Sequence, residues 1–158
     1  MTGRIVSPIR LALAAVLAPA LAAPPTAAAC PPQITVERPS AAADTAFVLV
    51  HASPGCQRGN VTVTGTAEGL IDGARRSIAL EVAATGTEGV YRVRRQWPRT
   101  GVWVLRLVVH AGEGSATALV GIGASGEIAA VRQQDPARRI YPRITDADVD
   151  AMLRSLAR

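Results

Sequence analysis

Hydrophobic and polar residues alternate along most of the chain between residues 34 and 132, as they do in strands that bury one face. The pattern is strongest at 102–110, where the sequence reads VWVLRLVVH. The spacing predicts a strand whose buried face carries four large side chains: Trp103, Leu105, Leu107 and Val109. The opposite face, which includes Arg106 and His110, is then expected to point outwards.

Seven further segments alternate in the same way and are separated by glycine, proline and other turn residues. They cover residues 34–38, 47–52, 61–66, 77–82, 91–94, 116–122 and 128–132. No long helical periodicity interrupts them. About seven or eight short strands at a spacing of roughly 8–14 residues predict an all-β, immunoglobulin-like antiparallel β-sandwich.

The turn sequence Pro98-Arg99-Thr100-Gly101 separates the segment at Tyr91 from the one at Trp103. Pro98 fixes φ and Gly101 permits a positive φ, so the pattern predicts a central hairpin.

In this hairpin Arg92, Arg94 and Arg106 share the outward face. Guanidinium groups bind carboxylates and phosphates through two parallel hydrogen bonds, so the three arginines are candidate binding residues for an acidic protein or an anionic lipid surface. A merely solvated outer face is the alternative.

A different pattern begins after Gln134, where residues 135–143 form a connector and ITDADVDAMLRSLAR follows. Apolar residues recur there at helical spacing: Val149, Met152, Leu153 and Leu156. Thr145 with Asp148 three residues later predicts a capping box. The spacing of Asp146, Asp148 and Asp150 resembles the start of a calcium loop, but Ala151 stands where that loop needs glycine, so we interpret the aspartates as helix-start charges.

The first 29 residues have the layout of a cleaved signal peptide, with Arg4 and Arg10 around a short n-region and an apolar run from Leu11 to Leu21. The run is too short to span a bilayer. The predicted organisation is therefore a signal peptide at 1–29, a sandwich at 30–134, and a connector with a helix at 135–158. We expect the protein in the periplasm or outside the cell.

All seventeen basic residues of the chain are arginine. Without residues 1–29, fifteen of them stand against twelve acidic residues, a net charge of about +3. That excess gives no reason to expect nucleic acid as a partner.

The two cysteines, Cys30 and Cys56, predict one disulfide in an oxidising compartment, worth on the order of 3 kcal/mol. The run Ala27-Ala28-Ala29-Cys30 also resembles a bacterial lipoprotein cleavage site, so a lipid anchor at Cys30 in the outer membrane is the alternative.

No arrangement of residues predicts catalysis. The run Gly121 to Gly126 matches a dinucleotide-binding motif, but that motif needs a helix opening there and a second parallel strand, whereas only a short strand-like segment and a connector follow, so we interpret the run as a glycine-rich hairpin turn. His51 and His110 are the two histidines, and they suit copper or zinc if their strands are neighbours. We expect no cofactor, and keep metal binding as the alternative function and a hydrolase as a more distant one.

The sequence G89-V-Y91, followed by W97-P-R-T-G101-V-W103-V-L105, resembles the YtkA-like, FixH-like and CopC-like group of exported immunoglobulin-type sandwiches. The resemblance implies that the tyrosine and tryptophan strands are consecutive and that the tryptophan is a core residue. It also implies a periplasmic accessory or binding domain, in some members linked to copper. The chain lacks the clustered histidine and methionine ligands of the copper-binding members. Our expectation is a non-catalytic binding module of the bacterial envelope.

Overall fold

The structure is a computed structural model that describes residues 30–39, 46–56, 59–133 and 143–158. The predicted signal peptide at 1–29 and most of the predicted connector lie outside these residues.

The described chain forms two antiparallel sheets and a C-terminal helix, α1, at Asp146–Leu156. The first sheet contains four strands, β1 at Gln33–Glu37, β2 at Val48–Ser53, β5 at Val82–Ala84 and β6 at Val90–Val93. The second contains five, β3 at Val61–Ile71, β4 at Ala74–Ala79, β7 at Val102–Ala111, β8 at Gly114–Ile122 and β9 at Ile128–Arg132.

The strand order identifies the type of sandwich. It runs β1-β2-β6-β5 in one sheet and β4-β3-β7-β8-β9 in the other. These orders reproduce the ABED and CFG sheets of immunoglobulin domains, with β4 as an additional strand beside C and β9 beyond G. The predicted all-β immunoglobulin-like sandwich with one C-terminal helix is therefore confirmed, with nine strands in place of seven or eight.

The predicted central hairpin is wrong. β6 pairs with β2 and β5, whereas β7 pairs with β3 and β8, so the two consecutive strands lie in different sheets. The connection crosses between the sheets, and Trp97 within it is buried, with 3 % of its surface exposed. The physical reason is that both strands carry an apolar face. In facing sheets, the apolar faces of β6 and β7 lie opposite each other, so Tyr91 and Val93 pack into the same core as Trp103. In a hairpin, both apolar faces would lie side by side on one sheet.

The segment predicted as one strand at 77–82 also divides between the sheets. β4 ends at Ala79 in the five-stranded sheet, and β5 begins at Val82 in the four-stranded sheet. Leu80 lies between them and is buried, with its backbone N–H donating to the Gly65 carbonyl at 2.9 Å. The chain therefore closes this side of the sandwich by itself.

The first half of strand β7 is buried on both faces. Its predicted inward residues belong to the main core between the sheets: Trp103, Leu105, Leu107 and Val109. On its other face, Val102 and Val104 form a second apolar cluster with Leu119 of β8. Val149 and Leu153 of α1 cover this second cluster, so the predicted amphipathic helix packs on its own sandwich.

Ion pairs reinforce the docking of the helix. Arg106 Nη1 lies 2.6 Å from Asp146 Oδ1, and Arg132 Nη1 lies 2.7 Å from Asp148 Oδ1. Asp150 pairs with Arg75 of β4. The three aspartates of the helix therefore each meet an arginine of a different strand.

Helix α1 begins as predicted at Thr145. The Asp148 carboxylate accepts hydrogen bonds from the Thr145 backbone N–H at 2.8 Å and from its hydroxyl at 2.9 Å. These two bonds, together with the charge of Arg132, hold the pKa of Asp148 below its usual value of 3.8. The carboxylate form of Asp148 is therefore the form that the folded helix favours.

Truncation of Trp103 tests the core. The ring is 1 % exposed and packs against Gly69, where an added Cβ would collide with it. Trp103→Ala should lower the free energy of unfolding by about 3–5 kcal/mol in urea denaturation. Gly69→Ala should destabilise the parent by about 1–3 kcal/mol but cost much less in the Trp103→Ala background, because the colliding ring is gone. Equal costs in both backgrounds would contradict this packing.

The capping carboxylate of α1 predicts a pH-dependent stability. Because the folded pKa of Asp148 is depressed, its contribution is present above pH 3.8 and is lost as the pH falls through the lower folded value. Asp148→Asn should therefore be less stable than the parent at pH 7, and the difference should vanish in strong acid. Asp72→Asn is the matched control, since Asp72 has no ion pair in the described part of the chain. A difference between Asp148→Asn and the parent that is independent of pH would refute the assignment.

Candidate functional site

The three arginines predicted to share a face are divided by the structure. Arg92 and Arg94 belong to β6 and the residues that follow it, in the four-stranded sheet. Arg106 lies on the outer face of the five-stranded sheet, where Asp146 neutralises it. The premise of a single arginine face is thus wrong for Arg106, because β6 and β7 lie in opposite sheets.

Arg92 and Arg94 nevertheless line a cavity of about 260 Å³ together with Arg95. Glu81, Ala83 and Gln96 complete its lining. In the sheet, Arg92 of β6 is paired with Ala83 of β5, so the small side chain of Ala83 leaves space beside the guanidinium group. This arginine pocket is the candidate site.

The side-chain amide of Gln96 holds the segment at Glu81 in place beside the pocket. The Glu81 backbone N–H donates to Gln96 Oε1 at 2.8 Å, and Gln96 Nε2 donates to the Glu81 carbonyl at 2.9 Å. Because β6 ends at Val93, the Gln96 side chain makes the two hydrogen bonds to Glu81 that the backbone of a neighbouring strand would otherwise make. These two hydrogen bonds hold in place the segment that contains Glu81 and Ala83, which line the pocket.

Arg95 is fixed by aromatic rings. Its guanidinium carbon lies 5.0 Å from the centre of the Phe47 ring and 5.6 Å from that of Trp97. Arg95 Nη2 also donates to the Gly126 carbonyl at 2.8 Å. The cation–π contacts and this hydrogen bond hold the Arg95 guanidinium against Phe47, Trp97 and the β8–β9 turn, which do not line the pocket.

The guanidinium groups of Arg92 and Arg94 differ from those beneath the helix, because no carboxylate pairs with them in the described residues. The Nε atom of Arg92 is buried and has no acceptor within that part of the chain. A buried charged donor without an acceptor is unfavourable, and such a group calls for an explanation. The Arg92 and Arg94 side chains against the single acidic residue, Glu81, give the pocket lining an excess of positive charge.

The two histidines do not meet. His51 on β2 lies 3.0 Å from Glu37 of β1, on the outer face of the four-stranded sheet. His110 on β7 is exposed on the outer face of the other sheet, beside Ser115 of β8. The metal site that required neighbouring histidine strands is therefore wrong. No group of three or more histidine, cysteine or acidic residues suited to a metal occurs in the described ranges.

The two cysteines are linked as predicted. Cys30 and Cys56 form a disulfide with their Cα atoms 5.0 Å apart, and it ties the start of the described chain to the turn after β2. Acylation would need the Cys30 sulfur for a thioether, so this link argues against the lipid anchor. The only helix in the described part of the chain is too short and too polar to cross a membrane.

The signals for the pocket were only partly visible in the sequence. The run RVRRQ at 92–96 contains the arginines, but nothing in its pattern indicates that the Gln96 side chain bonds to the backbone of Glu81. These contacts depend on the division of residues 77–82 between two sheets.

Comparison with known proteins identifies no relative. No family model matches the chain, and no curated protein and no solved structure shows detectable similarity to it.

The disulfide generates a direct test. Protein recovered from an oxidising compartment should lack the mass of two hydrogen atoms, and reduction should lower the free energy of unfolding by about 3–4 kcal/mol in the chain-entropy model. The Cys30→Ser/Cys56→Ser double variant serves as the control, because its stability should not respond to reductant. A free thiol on Cys56 or a diacylglycerol mass on Cys30 would overturn the assignment.

Proposed function

We propose that the protein is an exported, non-catalytic binding module of the bacterial envelope, and that it binds an acidic partner protein at the arginine pocket. The single observation that carries the proposal is the contrast between its arginines. Arg75, Arg106 and Arg132 each meet an aspartate of α1, whereas Arg92 and Arg94 meet no carboxylate within the described chain. Guanidinium groups left unpaired beside a cavity are suited to the carboxylates of another molecule.

The chemistry of the pocket supports binding over catalysis. Its lining supplies guanidinium groups, one carboxylate and one amide, and the amide is already engaged by the backbone of Glu81. A hydrolase of the usual kind needs a nucleophile beside a base, and this lining contains neither serine, cysteine nor histidine.

Export is supported by the signal-peptide layout of residues 1–29 and by the disulfide, which persists in oxidising compartments. The resemblance of the tyrosine and tryptophan motifs to exported immunoglobulin-type domains agrees with the same assignment. The copper function of some of those domains gains no support from histidines on opposite outer faces of the sandwich.

The Arg92→Gln/Arg94→Gln double variant tests the proposal. Its affinity for a fluorescent polyglutamate peptide should fall at least about tenfold, because each charge-assisted hydrogen bond contributes more than a neutral one. The dependence of binding on salt concentration should weaken with it. Fluorescence anisotropy at several salt concentrations measures both effects.

Arg76→Gln/Arg99→Gln is the matched control, since it removes the same charge at two exposed positions outside the pocket. Its peptide affinity should stay within about twofold of the parent, because distant surface charges are screened. Equal losses in both double variants would show that only net charge matters and would refute the pocket. Tighter binding of vesicles containing phosphatidylglycerol than of the peptide would replace the protein partner with a lipid surface.

A further inference from the structure

The pocket lies beside a sheet edge with which no other strand of the described residues pairs, here called the free edge. Strand β5 pairs with β6 on one side and is the last strand of the four-stranded sheet. Its three residues, Val82, Ala83 and Ala84, carry small side chains without charge. An edge strand exposes backbone donors and acceptors that can pair with another extended chain.

Alternation along β5 shows which backbone groups are free. The Glu81 and Thr85 N–H groups both point towards β6, since they donate to Gln96 Oε1 and to the Val90 carbonyl. Backbone groups of alternate residues in an antiparallel strand point to the same side. The N–H and C=O groups of Val82 and Ala84 therefore point away from β6, towards the free edge.

The other side of this sheet is protected. The Val36 N–H of β1 donates to Gln133 Oε1 at 2.9 Å, and the Arg38 guanidinium donates to the Ile128 carbonyl. These bonds connect the edges of β1 and β9 across the sandwich. In the five-stranded sheet, the edge strand β4 carries Arg75 and Arg76, and charged residues on an edge strand oppose pairing with another chain.

The register connects the free edge to the arginine pocket. Ala83 and Arg92 are paired across β5 and β6. A residue opposite Ala83 on an added strand would therefore lie in line with these two side chains, on the same face of the sheet. Neighbouring strands are about 4.8 Å apart, which puts that residue roughly 10 Å from the Arg92 Cα, with only the Ala83 methyl between them. A glutamate there could extend over Ala83 to the guanidinium group.

We propose that the partner presents an extended acidic segment that adds to β5 as an antiparallel strand, with one glutamate opposite Ala83 in the arginine pocket. The inference rests on the proposed function and gives it a partner chemistry and a binding mode. Main-chain hydrogen bonds supply affinity in such strand addition, and the pocket for an alternate side chain supplies specificity.

Selective methylation of a peptide tests the main-chain part. In the capped peptide Thr-Val-Glu-Val-Thr, the two valines flank the glutamate and would bond to Val82 and Ala84, while the glutamate N–H would point to solvent. N-methylation of both valines should weaken binding at least about tenfold, because two hydrogen bonds are lost. N-methylation of the glutamate should change it by less than about threefold. Fluorescence anisotropy with the full chain measures all three peptides.

A second test acts on the protein. Ala84→Pro removes an outward N–H and leaves the groups that bond to β6 in place. It should therefore weaken the binding of the unmethylated peptide at least about tenfold. Circular dichroism checks that this variant folds, and the peptide series decides the question if it does not.

The outcomes separate the two proposals. If both methylated peptides bind equally and still need Arg92 and Arg94, strand addition is wrong and the arginine pocket remains. If the peptide binds without any dependence on those arginines, the proposed function itself fails. An unmethylated peptide that shows no binding at about 1 mM overturns strand addition.

Discussion

The structure depends on the burial of the first half of β7 on both faces. One face packs into the core between the sheets through Trp103, and the other, at Val104, would be an exposed apolar surface without α1. Burial of such a surface is the dominant stabilising contribution, but it does not fix the orientation of a helix of eleven residues that would be marginal alone. The three aspartate–arginine pairs supply that orientation, because each fixes the helix against a different strand.

This docking gives the arginines two distinct roles. Exposed ion pairs contribute little stability each, so those beneath α1 act chiefly by specifying how the helix lies. The same docking pairs the Arg106 guanidinium with Asp146, on the sheet opposite to Arg92. Arg92 and Arg94 lie in the other sheet, far from any aspartate of the helix. Arg92 and Arg94 therefore take no part in the ion pairs that orient the helix.

Local patterns predicted the elements well and their partners less well. The alternation at 102–110 gave the correct buried face of β7, with Trp103, Leu105 and Leu107 in the main core. The helix begins at its predicted cap, Thr145. The pairing of β6 was wrong because alternation records which face is buried and not which sheet a strand joins. Two of the six residues that line the candidate site, Arg92 and Arg94, were predicted, whereas the contribution of Glu81 required the unpredicted change of sheet at Leu80.

The segment from Arg92 to Trp97 connects the core to the candidate site. Val93 and Trp97 are anchored in the core, and Arg92 and Arg94, on either side of Val93, line the pocket. Because the buried side chains cannot shift without opening the core, the backbone that carries the arginines is held in place, and less backbone entropy is lost when a ligand binds. Gln96 extends this rigidity to β5 by pairing with the Glu81 backbone. The pocket and the free edge of β5 therefore form one preorganised surface, which explains why we expect their contributions to binding to depend on each other.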